Sequence, residues 1–544
     1  MNAQSLVSNL QPPISNLQSL ISRVLAFIAA RGAPAWLAGG YVRDQLLGRP
    51  NHDLDVVVPD GGIRLARAIA AAFDGAFFVL DQERDVGRAL LRDEAGNELD
   101  VDVARLRSPE LYDDLRLRDF TVNAIAVGYV PGTSEVPGTW GRDPSEVPGT
   151  WSRIFDPFDG RGDLKKRLIR AVTEGAFRDD PLRMLRGVRQ SIELGLRIED
   201  ATYDLIRRDA ALLAGVSAER VRDELLRIMA APAAWQHVRL LASLDLLQPT
   251  LPEAATTIGV TQTAPHYQDV FDHARSVMAH LEGIYALLWP EAGYRVPEPI
   301  ADDATVLAPA RQWAELGEAL APYTDDLRDH LTRPLAAGRM RRDWLTWAAL
   351  MNDWGKPAMR AVEENGRARF LGHEQFGALL VERRALALKL AADEVAYLAR
   401  LTDQHTRPGL LSHDYPPSPR AIYRFYRDAG SIGPDCALLG LADHLATRAA
   451  NPLPDHWARR LGTTKLLLDA YFRARAERVA PPPLLDGHEI MAEFGLKPGP
   501  QIGQLLEELR EAQAVGEVAT AAGARAWLAE RLATGEVHWG SDLT

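Results

Sequence analysis

Apolar and polar positions change their period once along this chain. Up to about residue 130, short apolar runs (Val56–Val58, Phe77–Leu80) and an alternating stretch (Glu98–Val103) lie among helical patterns. A period of two fits a strand with one buried face, so these segments predict a sheet. Beyond about residue 160 apolar residues recur at helical spacing, as in Leu182, Leu185, Val188 and Ile192, and β-branched runs become scarce. The fold class expected is α+β: a small mixed or antiparallel-sheet head with helices, followed by a mostly α-helical neck, body and tail.

Between the two regimes Ser134-Glu-Val-Pro-Gly-Thr-Trp140 recurs as Ser145-Glu-Val-Pro-Gly-Thr-Trp151. Proline and glycine at fixed places prevent a continuous helix or central strand, and two copies are too few for a solenoid. Residues 131–152 are therefore read as a hairpin loop lengthened by duplication. Base stacking by Trp140 and Trp151 is the weaker reading.

A length of 544 residues exceeds what one core organises, so roughly three to five structural units are expected. Hydrophobic residues make up 47%, and no apolar stretch approaches the length of a membrane span, so no membrane partner is expected. The single cysteine, Cys436, excludes an internal disulfide framework and a multi-cysteine metal site, which fits a reducing, cytoplasmic compartment. Residues 1–22 lack signal-peptide features and are read as an extension. A formal charge of −12 argues against a protein that coats nucleic acid non-specifically. Residues 153–230, however, carry 16 Lys+Arg against 14 Asp+Glu, a local +2 that any RNA-facing surface should include.

The densest chemistry lies in Leu37-Ala-Gly39-Gly40-Tyr-Val-Arg43-Asp44-Gln-Leu-Leu-Gly48, followed by Asp53-Leu54-Asp55. Paired glycines ahead of a helix let backbone N–H groups approach phosphate, and Arg43 adds charge, which would hold a triphosphate. Residues two apart on a strand face one side, so Asp53 and Asp55 present both carboxylates to one point, suiting a divalent metal. Asp100 and Asp102 share one face of the alternating segment, and Asp102 is the candidate third carboxylate. Two metal ions on such acids can activate an attacking hydroxyl and stabilise a pyrophosphate leaving group.

These residues resemble the class II CCA-adding enzymes and bacterial poly(A) polymerases of the polymerase-β-like nucleotidyltransferases. The resemblance continues in order along the chain. Arg118-Asp119-Phe-Thr-Val-Asn123 is similar to the family's second motif, which implies that Arg118 meets the phosphates and Asp119 the ribose. Were the segment helical, Asp119 and Asn123 would share a face at i,i+4. Asp156-Pro-Phe-Asp159-Gly160, with Asp163-Leu164, resembles the hinge between head and neck. Asp180-Pro181-Leu-Arg183 resembles the pair that selects CTP or ATP as an amino-acid template, with Arg186 and Arg189 as further nucleotide contacts. A carboxylate and a guanidinium can read a Watson–Crick edge, and Asp180 before proline is also an ordinary helix cap. Ser217-Ala-Glu219-Arg220 through Glu224 resembles the last neck motif, with a scaffolding role.

The C-terminal half resembles an HD-type helical domain. The matching metal positions are His273, Asn352, Asp353 and Asp443, but the histidine of the His-Asp pair is replaced by Asn352, whose amide oxygen binds transition metals less well. His373 and His405 could compensate. Gly495 to Val518 resembles the family's tail, which implies holding the tRNA elbow. The organisation expected is an extension (1–22), head (23–130), repeat loop (131–152), end of head, hinge and neck (153–235), HD-like domain (236–455) and tail (456–544).

The resemblance implies template-independent, two-Mg²⁺ transfer of nucleotides from ATP, and possible use of CTP, to the 3′ end of tRNA. Only six residues separate Arg107 from Asp114-Leu115, leaving little room for a flexible loop; this shortening favours addition of the terminal A over complete CCA. A poly(A) polymerase is the runner-up, and a phosphohydrolase acting through the HD-like domain is weaker. Residue patterns leave the oligomeric state open.

Overall fold

The computed structural model describes residues 13–129, 151–298, 308–336, 338–448 and 453–534. The chain divides into two compact units, Met1–Val216 and Ser217–Thr544, a boundary that falls inside the segment read as neck.

The first unit opens with helix α1 (Pro13–Ala29), which runs back into residues assigned to the N-terminal extension. A seven-stranded sheet follows, built from β1 (Trp36–Ala38), β2 (Asp53–Val58), β3 (Ala76–Asp81), β4 (Val86–Arg92), β5 (Glu98–Arg105), β6 (Ala126–Tyr129) and β7 (Trp151–Phe155). Its order is β3-β4-β5-β2-β1-β6-β7. Only the β2–β5 pair is parallel, so the sheet is mixed. The alternation read in Glu98–Val103 is realised: Leu99, Val101 and Val103 are fully buried while Asp100 and Asp102 lie on the opposite, partly open face. The run Phe77–Leu80 does form a strand, but at the edge of the sheet, where Phe78, Val79 and Leu80 stay exposed.

Helix α2 (Gly40–Leu46) joins β1 to β2, and α3 (Gly62–Ala72) packs on β4 and β5. A short helix, α4 (Leu111–Arg116), follows β5. Strands β6 and β7 pair antiparallel; the segment between them, read as a repeat-lengthened loop, falls outside the described residues apart from the backbone of Trp151. Helices α5 (Gly160–Lys166), α6 (Ala176–Asp179) and α7 (Arg183–Leu194) complete the part of the unit that carries the site.

Among its described residues the second unit is helical apart from two small hairpins. The helix Val270–Leu288 is buried on nearly every side and packs against Arg341–Met351 and Gly433–Arg448. Near the C-terminus a separate small core of Ile490, Leu505, Leu509 and Leu528 forms beneath the helices Gly487–Phe494, Pro500–Ala514 and Ala521–Thr534. Among the described residues no helix is long and apolar enough to cross a membrane.

Candidate active site

The register of the parallel pair sets Asp53 beside Asp100 and Asp55 beside Asp102. Four carboxylates thus form a two-by-two patch on one face of adjacent strands. Spacing within a strand is legible in sequence; the neighbourhood across strands is decided by register. Asp53 at the strand's start is exposed, whereas Asp55 is largely enclosed. Burial, with Asp102 and Asp53 adding to it and Arg118 opposing it, pushes the Asp55 carboxyl up to about 6. Concentrated, poorly solvated negative charge of this kind is relieved by a bound cation, and the oxygen-only donors of Asp53 and Asp55 fit a hard ion such as Mg²⁺.

Asp102 is placed differently from Asp53 and Asp55. Arg88, opposite it on β4, donates to Asp102 through Nε (2.7 Å) and Nη2 (2.8 Å), and its Nη1 lies 2.6 Å from Asp100. Both oxygens of the candidate third carboxylate are therefore engaged by a guanidinium. Nothing in the spacing of Arg88 signals this role, because β4 and β5 are matched only by the turn between them.

Gly39 closes the other side. Its φ of +78° is a left-handed conformation, and a Cβ there would lie 2.7 Å from Arg118 Nη1 and 3.1 Å from Asp55. The glycine is thus required twice, by its backbone and by the approach of both charges. Arg118 Nη1 donates weakly to the Asn123 carbonyl (3.4 Å), and its Nε is buried with no hydrogen-bond partner among the described residues.

Asn123 ties the site together. It accepts from Arg43 Nη1 (2.8 Å) and donates through Nδ2 to Asp119 Oδ1 (2.9 Å) and to Gln190 Oε1 (2.9 Å) on α7. The Asp119–Asn123 contact exists, but not by helical spacing: only Thr121–Asn123 forms a 3₁₀ turn, preceded by extended backbone at Phe120. Asp119 also meets Arg186 Nη2 at 2.9 Å. Burial works to raise the Asp119 carboxyl, yet Arg186, the Asn123 amide and the Phe120 N–H together hold it below its ordinary value. Nothing in the sequence marks Gln190, one polar residue on an otherwise ordinary helix.

In the neck, Asp180 is extended and accepts from the Leu182 N–H (3.2 Å), a local turn contact, while α7 begins only at Arg183. Arg183 donates to the carbonyls of Ala176 (3.1 Å) and Leu117 (2.7 Å), which fixes its guanidinium. Arg189 pairs with Glu193 one turn on. Arg107 accounts for the short connection after β5: it donates to both oxygens of Asp114 and to the carbonyls of Asp114 and Leu117, strapping that segment onto α4.

In the second unit His273 lies 3.0 Å from Asp443 and 3.7 Å from Asp353. Asn352 is fully buried, and neither atom of its amide has a hydrogen-bond partner among the described residues. His373 and His405 also approach Asp353.

Residues 35–170 match the family model described as the poly A polymerase head domain, and residues 195–257 the one described as a probable RNA and SrmB-binding site of polymerase A. The A-adding tRNA nucleotidyltransferase of Deinococcus radiodurans is 35% identical over 503 residues, 91% of this chain and 94% of that protein. The CC-adding tRNA nucleotidyltransferase of Geobacter sulfurreducens is 30% identical over 523 residues, covering 96% and 97%. Among solved structures, a CCA-adding enzyme in complex with CTP superposes with a TM-score of 0.58 at 18% identity over 98% of both chains. The Thermotoga maritima CCA-adding enzyme complexed with tRNA gives 0.51 at 17% identity, covering 97% of this chain and 98% of that one. These two likenesses establish a shared fold.

Proposed function

The chain belongs to the tRNA nucleotidyltransferase family, and from that premise we propose that it adds the terminal adenosine to tRNA ending in CC, with Asp53 and Asp55 as its metal-binding carboxylates. The observation that carries the transfer chemistry is the packing of Gly39 and Arg118 against Asp55; the choice of adenosine rests on the Arg107 strap and the A-adding relative. One enclosed acid, one guanidinium with an unused donor and a glycine turn meet at a single point.

Asp53 and Asp55 would hold Mg²⁺, which when bound acidifies the attacking 3′-hydroxyl and neutralises the departing pyrophosphate. The protein's own groups do the rest. Arg118 would meet the triphosphate, and Arg43, whose guanidinium is held by Asp44 (2.8 and 2.9 Å) and Asn123, would add positive charge beside it, while Asn123 fixes Asp119 for the ribose. Arg183 is held by two carbonyls, and its remaining N–H groups would be available to a base beside Asp180. Arg186 is anchored by Asp119, coupling the sugar contact to the neck.

The Arg107 strap supports a product of one kind: a connection tied down by hydrogen bonds has little freedom to reshape the pocket between cytidine and adenosine. The A-adding relative supports adenosine; the similar coverage of the CC-adding relative supports cytidine as the second reading. Incorporation of labelled ATP and CTP into tRNA ending before CCA, after C and after CC separates them. We expect ATP on the CC-ended substrate and loss of all incorporation in Asp53→Ala. Efficient CTP addition to tRNA lacking all three nucleotides would overturn the adenosine assignment, and long tails on unstructured RNA would favour a poly(A) polymerase.

A further inference from the structure

The acid patch has different neighbours on its two sides. Groups assigned to the triphosphate and ribose gather on one side of β2, where Gly39 follows β1 and Arg118, Asp119 and Asn123 precede β6. In the sheet order β3-β4-β5-β2-β1-β6-β7, strands β5, β4 and β3 lie on the other side. In an in-line displacement the attacking oxygen stands opposite the leaving one, so the RNA end must approach over those three strands.

Register fixes what that end meets. Asp55 is paired with Asp102, Asp102 with Arg88, and Arg88 with Phe78. Residues directly opposite on adjacent strands share a face, so these side chains form one row on the face of the acids. The bonds from Arg88 to Asp102 lie along it. Strands are about 4.8 Å apart, which puts Phe78 roughly 14 Å from Asp55, the span of about four stacked nucleotides and fewer extended ones.

Phe78 is 50% exposed on the edge strand β3. Its neighbour Phe77 turns to the opposite face, where Arg67 of α3 lies 4.9 Å from the ring centre. Unpaired RNA bases bind by stacking on exposed aromatic rings beside positive charge. Arg88 stands between this ring and the acids; three of its N–H groups go to Asp100 and Asp102, which leaves two of a guanidinium's five donors for a phosphate.

We propose that Phe78 is a positioning residue for the acceptor RNA. An unpaired base near the 3′ end stacks on its ring while Arg88 faces the adjoining phosphate, and this leads the terminal hydroxyl to Asp53 and Asp55. The inference rests on the transfer reading above and adds the path by which the acceptor enters.

The test uses the full-length protein and tRNA ending in CC, with 2-aminopurine placed in turn at each of the last three positions. Stacking quenches this base, and the measurement needs no turnover. We expect quenching at one of those positions in wild type, its loss in Phe78→Ala and its return in Phe78→Tyr. Val79→Ala is the control: Val79 is 43% exposed on the same strand but pairs with Gly87 on the face of α3, so its loss should change nothing. In ATP incorporation, Phe78→Ala should raise the KM for tRNA roughly tenfold and leave kcat and the KM for ATP within about twofold. No quenching in wild type, equal quenching in Phe78→Ala, or equal effects of Phe78→Ala and Val79→Ala would each overturn the proposal. So would a wild-type dimer that Phe78→Ala dissociates, which would assign the edge to a second copy of the chain. A wild type that incorporates nothing would sink the transfer reading, while the quenching still decides whether RNA stacks on Phe78.

Discussion

Asp55 shows how one side chain's surroundings set its chemistry. Its carboxyl, raised to about 6 by burial and by Asp102 and Asp53, holds a proton in the folded chain over a range where the unfolded chain has already lost it. Without a divalent ion this costs stability, and the cost accumulates as pH rises from about 4 to about 6 and then stays constant. Two pKa units correspond to about 3 kcal/mol. Asp55→Asn without metal is therefore expected to melt several degrees above wild type at pH 8, with the difference gone below about pH 4. Thermal midpoints measured across that range check it, and a pH-independent difference would show that desolvated charge is not the cause. Asp180 poses a separate question, whether it reads the base or only closes the turn onto Leu182. Asp180→Asn keeps a turn-forming acceptor but adds a donor. The expected outcome is an unchanged melting temperature with ATP-over-CTP preference altered about tenfold to a hundredfold, consistent with roughly 1–3 kcal/mol for a bidentate base contact. An unchanged nucleotide ranking would leave the turn as its only role.

Elements bring these residues together through a few close approaches. Gly39 sits between β1 and α2 with Arg118 and Asp55 against it, so Gly39→Ala strains the backbone and displaces a guanidinium at once. Incorporation is expected to fall by about a hundredfold or more while the circular dichroism spectrum stays near wild type; activity within about threefold would mean that the approach is not needed. Gly160 does the same for the hinge, where a Cβ would meet the Thr121 carbonyl at 2.2 Å, and Asp163 beneath it accepts from the Thr121 hydroxyl at 2.6 Å. The hinge motif thus holds the Arg118–Asn123 segment from below. Its acids serve packing and touch none of the four carboxylates in the patch.

For the whole molecule, electrostatics and fold point in different directions. A chain of net charge −12 repels RNA at long range, so tRNA binding must depend on local basic groups such as those of residues 153–230. A few phosphate contacts predict that raising monovalent salt from about 50 to about 200 mM weakens tRNA binding roughly tenfold to a hundredfold. Filter binding at several salt concentrations checks this, and Asp53→Ala should show the same slope because its loss touches metal rather than phosphate. No dependence on salt would remove the basic surface from the account. The tail is linked to the helix Pro419–Ala429 of its own unit by ion pairs, Arg424 with Glu511 and Arg420 with Glu517, and by the Tyr423–Glu507 hydrogen bond.

What the sequence determined by itself was whatever depends on neighbours along the chain. Two carboxylates two apart on a strand, a glycine pair ahead of a helix, the alternation of Glu98–Val103 and the change to helical spacing each follow from local geometry, and the ordered motifs pointed to the family. Contacts across strands and between distant segments were decided only by tertiary structure. The pairing of Arg88 with Asp102 depends on the β4–β5 register, and the bond from Asn123 to Gln190 spans 67 positions. Asp119 reaches Asn123 through a 3₁₀ turn and not along a helix, and His273, His373 and His405 approach Asp353 from three separate segments. Local geometry fixes which residues share a face; which face meets which is settled when the core packs, because burial selects one register and one docking among many that the local pattern allows.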